Sequence, residues 1–365
     1  MIKPALFHSA ARRRGKCVCI VLMCINLKES IDFLEKTCII YIFAAFLCSI
    51  YRGVSMTKVF IDGSAGTTGL RIYDRLQERK DIELMILPED KRKDTAARKE
   101  MLNAADIAFL CLPDAAAVEA VSLVENDHTV IIDTSTAHRT AEGWVYGMPE
   151  IAGQRDKIRC ARRIANPGCH ASGFVALVQP LAEKGVIEKN LPLSCFSLTG
   201  YSGGGKQMIA QYEAAERDPL LSAPRMYGLS QQHKHLKEMG KLCGLETLPV
   251  FCPIVGDFYS GMEVTVSLFA KDVQGGMEAI RNVYRSYYQN GLIYFSEQAD
   301  ENGFMSAAAL SGRDDMEITV HGNDDRILLT ARFDNLGKGA SGAAVQNMNI
   351  VLGADEKTGL VTGGN

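Results

Sequence analysis

Lys58-Val59-Phe60-Ile61-Asp62-Gly63-Ser64-Ala65-Gly66-Thr67-Thr68-Gly69-Leu70-Arg71-Ile72-Tyr73-Asp74-Arg75-Leu76 decides how this chain is read. A short apolar run closes on Asp62, and a G-x-x-G-x-x-G pattern follows, made by Gly63, Gly66 and Gly69. Beyond it apolar side chains recur at helical spacing. Strand, glycine turn and helix in that order make a phosphate-binding βα unit. The glycines let backbone approach a pyrophosphate, and the helix start, with Thr67 and Thr68, offers unpaired N–H groups at the positive end of the dipole. Gly63, Gly66, Thr67, Thr68 and Gly69 are therefore the candidate cofactor contacts. A glycine triplet alone is a weak signal, because many βα turns need glycine only for geometry. The strand before it and the helix after it supply the missing context.

Reading outward, Glu83-Leu84-Met85-Ile86-Leu87 is a second strand. An NAD site carries an acidic residue just past this strand to hold the ribose hydroxyls. Here Pro88-Glu89-Asp90-Lys91-Arg92-Lys93 follows, with a basic cluster suited to a 2′-phosphate. That favours NADP(H), with Arg92 as the candidate contact. The competing reading is a solvated charge run in a loop. Apolar runs Ala105–Leu112 and Thr129–Asp133, separated by an alanine-rich helix, continue the alternation that a doubly wound parallel sheet requires. Cys111, inside one of these runs, reads as core.

Of the 365 residues, 47% are hydrophobic and 23% charged, which suits a globular protein of two domains. A net charge of −3 gives no electrostatic argument for nucleic acid or an anionic membrane. The eleven cysteines have no C-x-x-C or zinc-like spacing after Met56, so reduced thiols and no metal are expected, in a cytoplasmic setting. Residues 1–55 differ in character, with a basic start and apolar runs Cys17–Ile25 and Cys38–Ile50. The second run falls short of the ~20 residues that cross a bilayer as a helix, and the whole fits a signal peptide poorly. Membrane anchor, targeting peptide and translated upstream sequence compete. The expectation is that Met56, followed at once by Thr57-Lys58-Val59, is the true start and that 1–55 is a non-native or unstructured extension.

Ile164-Ala165-Asn166-Pro167-Gly168-Cys169-His170-Ala171-Ser172-Gly173 carries the chemistry. Proline and glycine break regular structure, and a helix with Phe174, Val175, Leu177, Val178 and Leu181 on its apolar face follows. Cys169 then sits at a helix N-terminus, where dipole and free N–H groups lower a thiol pKa and stabilise an oxyanion. The other five cysteines after Met56 read as small buried hydrophobes. A thiol nucleophile needs a proton partner, usually histidine. Of seven histidines, His170 is set aside because adjacent helical side chains diverge. His233 and His235 remain, and the residues alone do not choose between them.

These segments resemble the N-acetyl-γ-glutamyl-phosphate reductase family, in its compact form, within the aspartate-semialdehyde dehydrogenase superfamily. The resemblance rests on Asn166-Pro167-Gly168-Cys169, the glycine turn, Asp133–Arg139, Tyr146–Glu150, Gly200–Lys206, Gln232–Glu238 and Asp334–Asn349, and spans nearly all of 56–365. It implies an α/β fold: a Rossmann-type NADP-binding domain over 56–165, an α+β catalytic and dimerisation domain over 166–335, and a C-terminal segment, 336–365, whose helix returns to the Rossmann domain. It implies Cys169 as nucleophile and His233 as general acid/base, with Tyr227, His235 and Glu238 completing the pocket. Ser135, Arg139 and Lys206 are implied in substrate binding, the two cations holding phosphate and carboxylate. Asn335 and Gly337 are implied beside the nicotinamide. The implied reaction is NADPH-dependent reduction of an acyl phosphate through a cysteine thioester. The substrate is a small molecule, the protein a homodimer or homotetramer, and neither nucleic acid nor membrane takes part. The rivals are aspartate-β-semialdehyde dehydrogenase and a non-catalytic NADPH-binding protein.

Overall fold

The structure is a computed structural model, and it describes residues 56–363. The expectations about 1–55 lie outside the described residues. Both sheets belong to one compact unit that begins at Thr57.

Six parallel strands form the first sheet: β1 (Thr57–Asp62), β2 (Ile82–Met85), β3 (Ile107–Leu110), β4 (Val130–Asp133), β5 (Val145–Tyr146) and β6 (Arg163–Ala165), in the order β2-β1-β3-β4-β6-β5. β3 and β4 are buried along their whole length, as continuous apolar runs in a sheet covered on both faces require. Helices α1 (Thr67–Leu76), α2 (Thr95–Ala104), α3 (Asp114–Ser122) and α4 (Gln154–Cys160) connect the strands. The order turns back between β2-β1 and β3, so the crevice at the strand C-termini opens beside β1, where ligands bind in open parallel sheets.

The chain then enters α5 (Cys169–Glu183) and a second, seven-stranded sheet, ordered β11-β12-β13-β10-β7-β9-β8. Its strands are β7 (Ser194–Gly200), β8 (Arg225–Met226), β9 (Val250–Gly256), β10 (Met262–Phe269), β11 (Ile293–Phe295), β12 (Met316–Gly322) and β13 (Arg326–Phe333), mostly antiparallel. Helices α6 (Gly205–Tyr212), α7 (His235–Cys243) and α8 (Gly276–Tyr287) accompany it. α5 is buried on nearly every side, and Ala171, Phe174, Val175, Leu177 and Val178 share a core with Val264, Val266, Leu329 and Phe333 of the sheet. That rigid seat fixes the helix start, and with it Cys169.

A π-helical turn, Gly337–Ser341, leads into α9 (Gly342–Leu352). Ala344, Val345, Met348 and Ile350 pack with Val59, Ile61, Ile107 and Ile132, so the last helix belongs to the core of the first sheet. Lys338 in the turn is buried and its Nζ lies 2.7 Å from Glu150 Oε1 and 2.6 Å from Gln346 Oε1. Burying that charge is tolerable only because it is paired and hydrogen-bonded. Among the described residues no helix is long and apolar enough to cross a membrane.

Candidate active site

A cleft of about 490 Å³ runs between the two sheets, lined by Gly66, Thr67 and Thr68 at one end and Cys169, Tyr227, His233 and His235 at the other. The first end is built by the glycine turn. Gly63 has φ +86°, and a Cβ there would stand 2.3 Å from the Cys111 carbonyl oxygen, so only glycine lets the turn close on β3. Gly66 caps α1 without any side-chain hydrogen bond to the helix N–H groups. The first-turn amides are thereby left for an anion, and the cradle fits the pyrophosphate of a dinucleotide.

Cys169 is the first residue of α5, with Gly168 as N-cap. Its Sγ and ring nitrogens of His170 and His235 lie within 4.8 Å of one another. Burial raises the thiol pKa, while Arg139 and the His170 backbone N–H oppose it. The resting sulfur is therefore protonated at neutral pH and needs a base to become a nucleophile. Close behind it Gly339 is pressed to the Cys169 side chain: a Cβ there would come within 2.9 Å of the cysteine Cβ. The turn before Cys169 is equally crowded. A Cβ at Gly168 would meet Arg139 Nη1 and His235 Nε2, each at 2.4 Å.

Glu238 organises this corner. Its Oε1 accepts from Arg139 Nη1 at 2.9 Å, and its Oε2 accepts from Tyr146 Oη at 2.9 Å and from the Gly168 amide at 3.0 Å. Arg139 also donates to the Asn166 and Thr134 carbonyls. Three of its five N–H donors are thus held, and two remain for a ligand. The His235 amide donates to His233 Nδ1 at 3.2 Å, which leaves the His233 proton on Nε2. His235 Nδ1 is buried without a partner, and its Nε2 is 3.9 Å from Glu238 Oε1.

Several expected residues stand elsewhere. Arg92 does not line the cleft; it ends a short helical turn past β2, facing Glu89 at 3.9 Å, with its Nε buried and unpartnered. Lys206 is exposed on α6, and the cleft wall there is Gly203–Gly205 instead. Gly337 lies off the cleft as a packing glycine, since a Cβ would fall 1.9 Å from the Arg313 carbonyl oxygen. Gly63 and Gly69 shape the turn from beneath, while Ser135 and Asn335 do line the cleft. Asn335 spends its amide on Ser202 Oγ and Gly261 N. Glu238 underlies the pocket as a support. The five cysteines read as buried hydrophobes divide: Cys195 and Cys243 are buried, Cys252 is half-buried, Cys160 is exposed. Cys111 lines the cleft from the end of β3, its thiol pushed up to about 12 by burial.

His170 is the residue that sequence reasoning missed. At the first turn of α5 its ring turns inward, with Nδ1 2.6 Å from Ser197 Oγ and Nε2 2.7 Å from Tyr227 Oη. The signal was available, since a histidine directly after the nucleophile on an otherwise apolar helix has to find buried partners.

Both buried imidazoles are held neutral. Burial brings His170 down to about 3, and burial with Arg139 holds His235 well below 6.5. Unfolded histidines take up a proton near pH 6.5, so below that pH the unfolded state binds more protons than the folded one. Stability then falls with pH by about 1.4 kcal/mol per unit for each histidine. The expected urea midpoint at pH 5 is lower than at pH 7 by the equivalent of about 2 kcal/mol per histidine. A His170→Asn protein should lose about half of this dependence, and equal slopes would refute the cause.

Comparison with known proteins accords with this geometry. Residues 58–161 match the family described as semialdehyde dehydrogenase, NAD binding domain, and residues 169–335 match semialdehyde dehydrogenase, dimerisation domain. A protein of Nostoc sp. (strain PCC 7120) named N-acetyl-gamma-glutamyl-phosphate reductase 2 is 46% identical over 318 residues, 83% of this chain and 99% of its own. One of Sinorhizobium medicae named N-acetyl-gamma-glutamyl-phosphate reductase is 45% identical over 307 residues, 81% of this chain and 99% of its own. Among solved structures, aspartate semialdehyde dehydrogenase II of Vibrio cholerae in complex with ASA aligns with a TM-score of 0.62 at 16% identity, covering 82% of this chain and 98% of that one. Aspartate semialdehyde dehydrogenase of Francisella tularensis aligns with a TM-score of 0.61 at 16% identity, over 81% of this chain and 100% of that one. At that identity the likeness is one of fold.

Proposed function

The chain belongs to the semialdehyde dehydrogenases and, among them, to the N-acetyl-gamma-glutamyl-phosphate reductases, and from that premise we propose how its own residues reduce N-acetyl-γ-glutamyl phosphate to the γ-semialdehyde and phosphate. It is an oxidoreductase, and its cofactor is NADP(H). The observation that carries the mechanism is the helix-start thiol, Cys169, at the far end of a cleft whose near end is a pyrophosphate cradle.

We assign the thiol proton to His235, an imidazole with a ring nitrogen within 4.8 Å of the sulfur and a buried Nδ1 that has no hydrogen-bond partner. His170 also has a ring nitrogen within 4.8 Å of the sulfur, but both its ring nitrogens are engaged. The Cys169 thiolate attacks the acyl carbon, the C–O bond to phosphate breaks, and a thioester forms on Sγ. Amides at the start of α5 face the oxygen that becomes negative. Gly66, Thr67 and Thr68 would hold NADPH, which would supply the hydride that reduces the thioester carbonyl. Collapse of the thiohemiacetal releases aldehyde and returns the thiolate. His233, half-buried on the cleft wall with its proton on Nε2, exchanges protons with the substrate oxygen and solvent. Arg139, with two donors free, binds an anionic end of the substrate in the planar manner of guanidinium, and Ser135 and Tyr227 line the same space. The unpartnered Arg92 Nε supports a role at the adenosine phosphate, and exposed Lys206 a role at the cleft rim.

We assign 56–165 to nucleotide binding, 166–335 to catalysis and self-association, and 336–365 to the return segment. NADPH and a reduced thiol argue for the cytoplasm. Assay of N-acetylglutamate semialdehyde beside aspartate semialdehyde, with phosphate and NADP+, tests the substrate. Turnover of the first is expected, and preference for the second would move the protein to the sister activity.

We infer a homodimer, alone or paired into a tetramer. The register of β9, β7, β10 and β13 puts Val250, Phe196, Phe269 and Leu328 on one face of the second sheet, and all four are exposed. Apolar patches of this kind mark interfaces, and the domain matched is a dimerisation domain. Light scattering should give a multiple of 39.9 kDa, with a Phe196→Glu, Phe269→Glu double variant shifted toward monomer. An unshifted mass would refute this face.

A further inference from the structure

We propose that His138 is a positioning residue, which through Asp133 fixes the loop that presents Arg139 to the anionic end of the substrate. The inference rests on the reading of Arg139 as the anion clamp. β4 ends at Asp133, whose carboxylate is completely buried. A buried carboxylate is tolerated only when donors surround it. Here all three described side-chain and backbone donors come from the next five residues: Ser135 N at 2.9 Å, Ser135 Oγ at 2.7 Å and His138 Nδ1 at 2.6 Å. The loop is thus wrapped around one charge.

His138 is fixed a second way. Its ring stacks on Trp144, with centroids 4.0 Å apart and an interplanar angle of 13°. Edge and face are both held, so the backbone of the next residue inherits the constraint. That residue is Arg139, and its three donated bonds reach Thr134 O in the same loop, Asn166 O before the nucleophile turn, and Glu238 beneath it. Thr136 is tied separately to Asp114. Removing His138 takes one donor from Asp133 and the stacking partner from Trp144, and frees the stretch just before Arg139. A shift of order 1 Å at a clamp is enough to cost much of its effect.

The test is steady-state kinetics in the aldehyde-oxidising direction with His138→Ala and His138→Asn. In the alanine protein the KM for one anionic reactant, phosphate or the carboxylate-bearing aldehyde, should rise roughly tenfold. The reactant affected tells which anion Arg139 holds. The KM for NADP+ should stay within about twofold, since the glycine cradle is separate, and kcat should fall less than the anion affinity. Asparagine, whose amide N–H replaces Nδ1–H toward Asp133, should restore most of the loss. Unchanged KM values for both anions would overturn the proposal. So would a uniform decline, NADP+ included, that asparagine does not rescue, because that is the mark of a merely structural histidine.

A second readout needs no turnover. Trp144 is the only tryptophan in the sequence, so emission excited beyond the tyrosine band reports on this loop alone. Titrated with inorganic phosphate and with the aldehyde in turn, the alanine protein should need roughly tenfold more of the anion than the wild type for the same emission change. Coincident curves would overturn the proposal, whereas a wild type that binds anion here yet fails to turn over would count against the assigned reaction instead.

Discussion

Cys169→Ser protein is expected to lose at least roughly 10⁴-fold in kcat while binding NADP+ with unchanged affinity. The alcohol is a far weaker nucleophile than a thiolate, and the helix-start amides at Cys169 cannot bring a serine near ionisation at neutral pH. The cradle at Gly66, Thr67 and Thr68 lies at the other end of the cleft and is untouched by the exchange. Fluorescence titration of NADPH against both proteins checks that half, and stopped-flow turnover the other. Retention of more than a few per cent of activity would remove Cys169 from the reaction.

His235→Asn is the second large effect, expected at roughly 10²–10³-fold in kcat. The half-buried thiol is protonated at rest because burial raises its pKa, so its activation depends on a nearby base. A ring nitrogen of His235 within 4.8 Å of the sulfur meets that need on geometry. His233→Asn should cost less, because solvent and neighbouring donors share the work on the open side of the cleft. A larger loss at His233 than at His235 would return the acid/base role to the residue that family resemblance alone assigns.

The glycine turn was readable because its reasons are local: a strand, a helix and three glycines within one short segment. Cys169 was readable for the same cause, since Pro167 and Gly168 announce a helix start before an apolar face. Which of His233 and His235 stands near the sulfur was not. His235 is the one within 4.8 Å of Cys169 together with His170, in a corner where Glu238 joins Arg139, Tyr146 and the Gly168 amide from three separate parts of the chain. His170 was hidden by a rule about helical neighbours that fails at a first turn facing the buried Ser197 and the hydroxyl of Tyr227. Gly337 illustrates the converse. It sits in a glycine-rich stretch that suggests cofactor contact, yet what demands glycine there is the carbonyl of Arg313, a contact between segments no local pattern reveals.

The most direct test of the thioester mechanism is mass spectrometry of the protein mixed with N-acetyl-γ-glutamyl phosphate in the absence of NADPH. The mechanism predicts one N-acetylglutamyl group per chain, located at Cys169, with release of one phosphate, and its disappearance as aldehyde when NADPH is added. An unmodified Cys169 under conditions where the complete system turns over would contradict it.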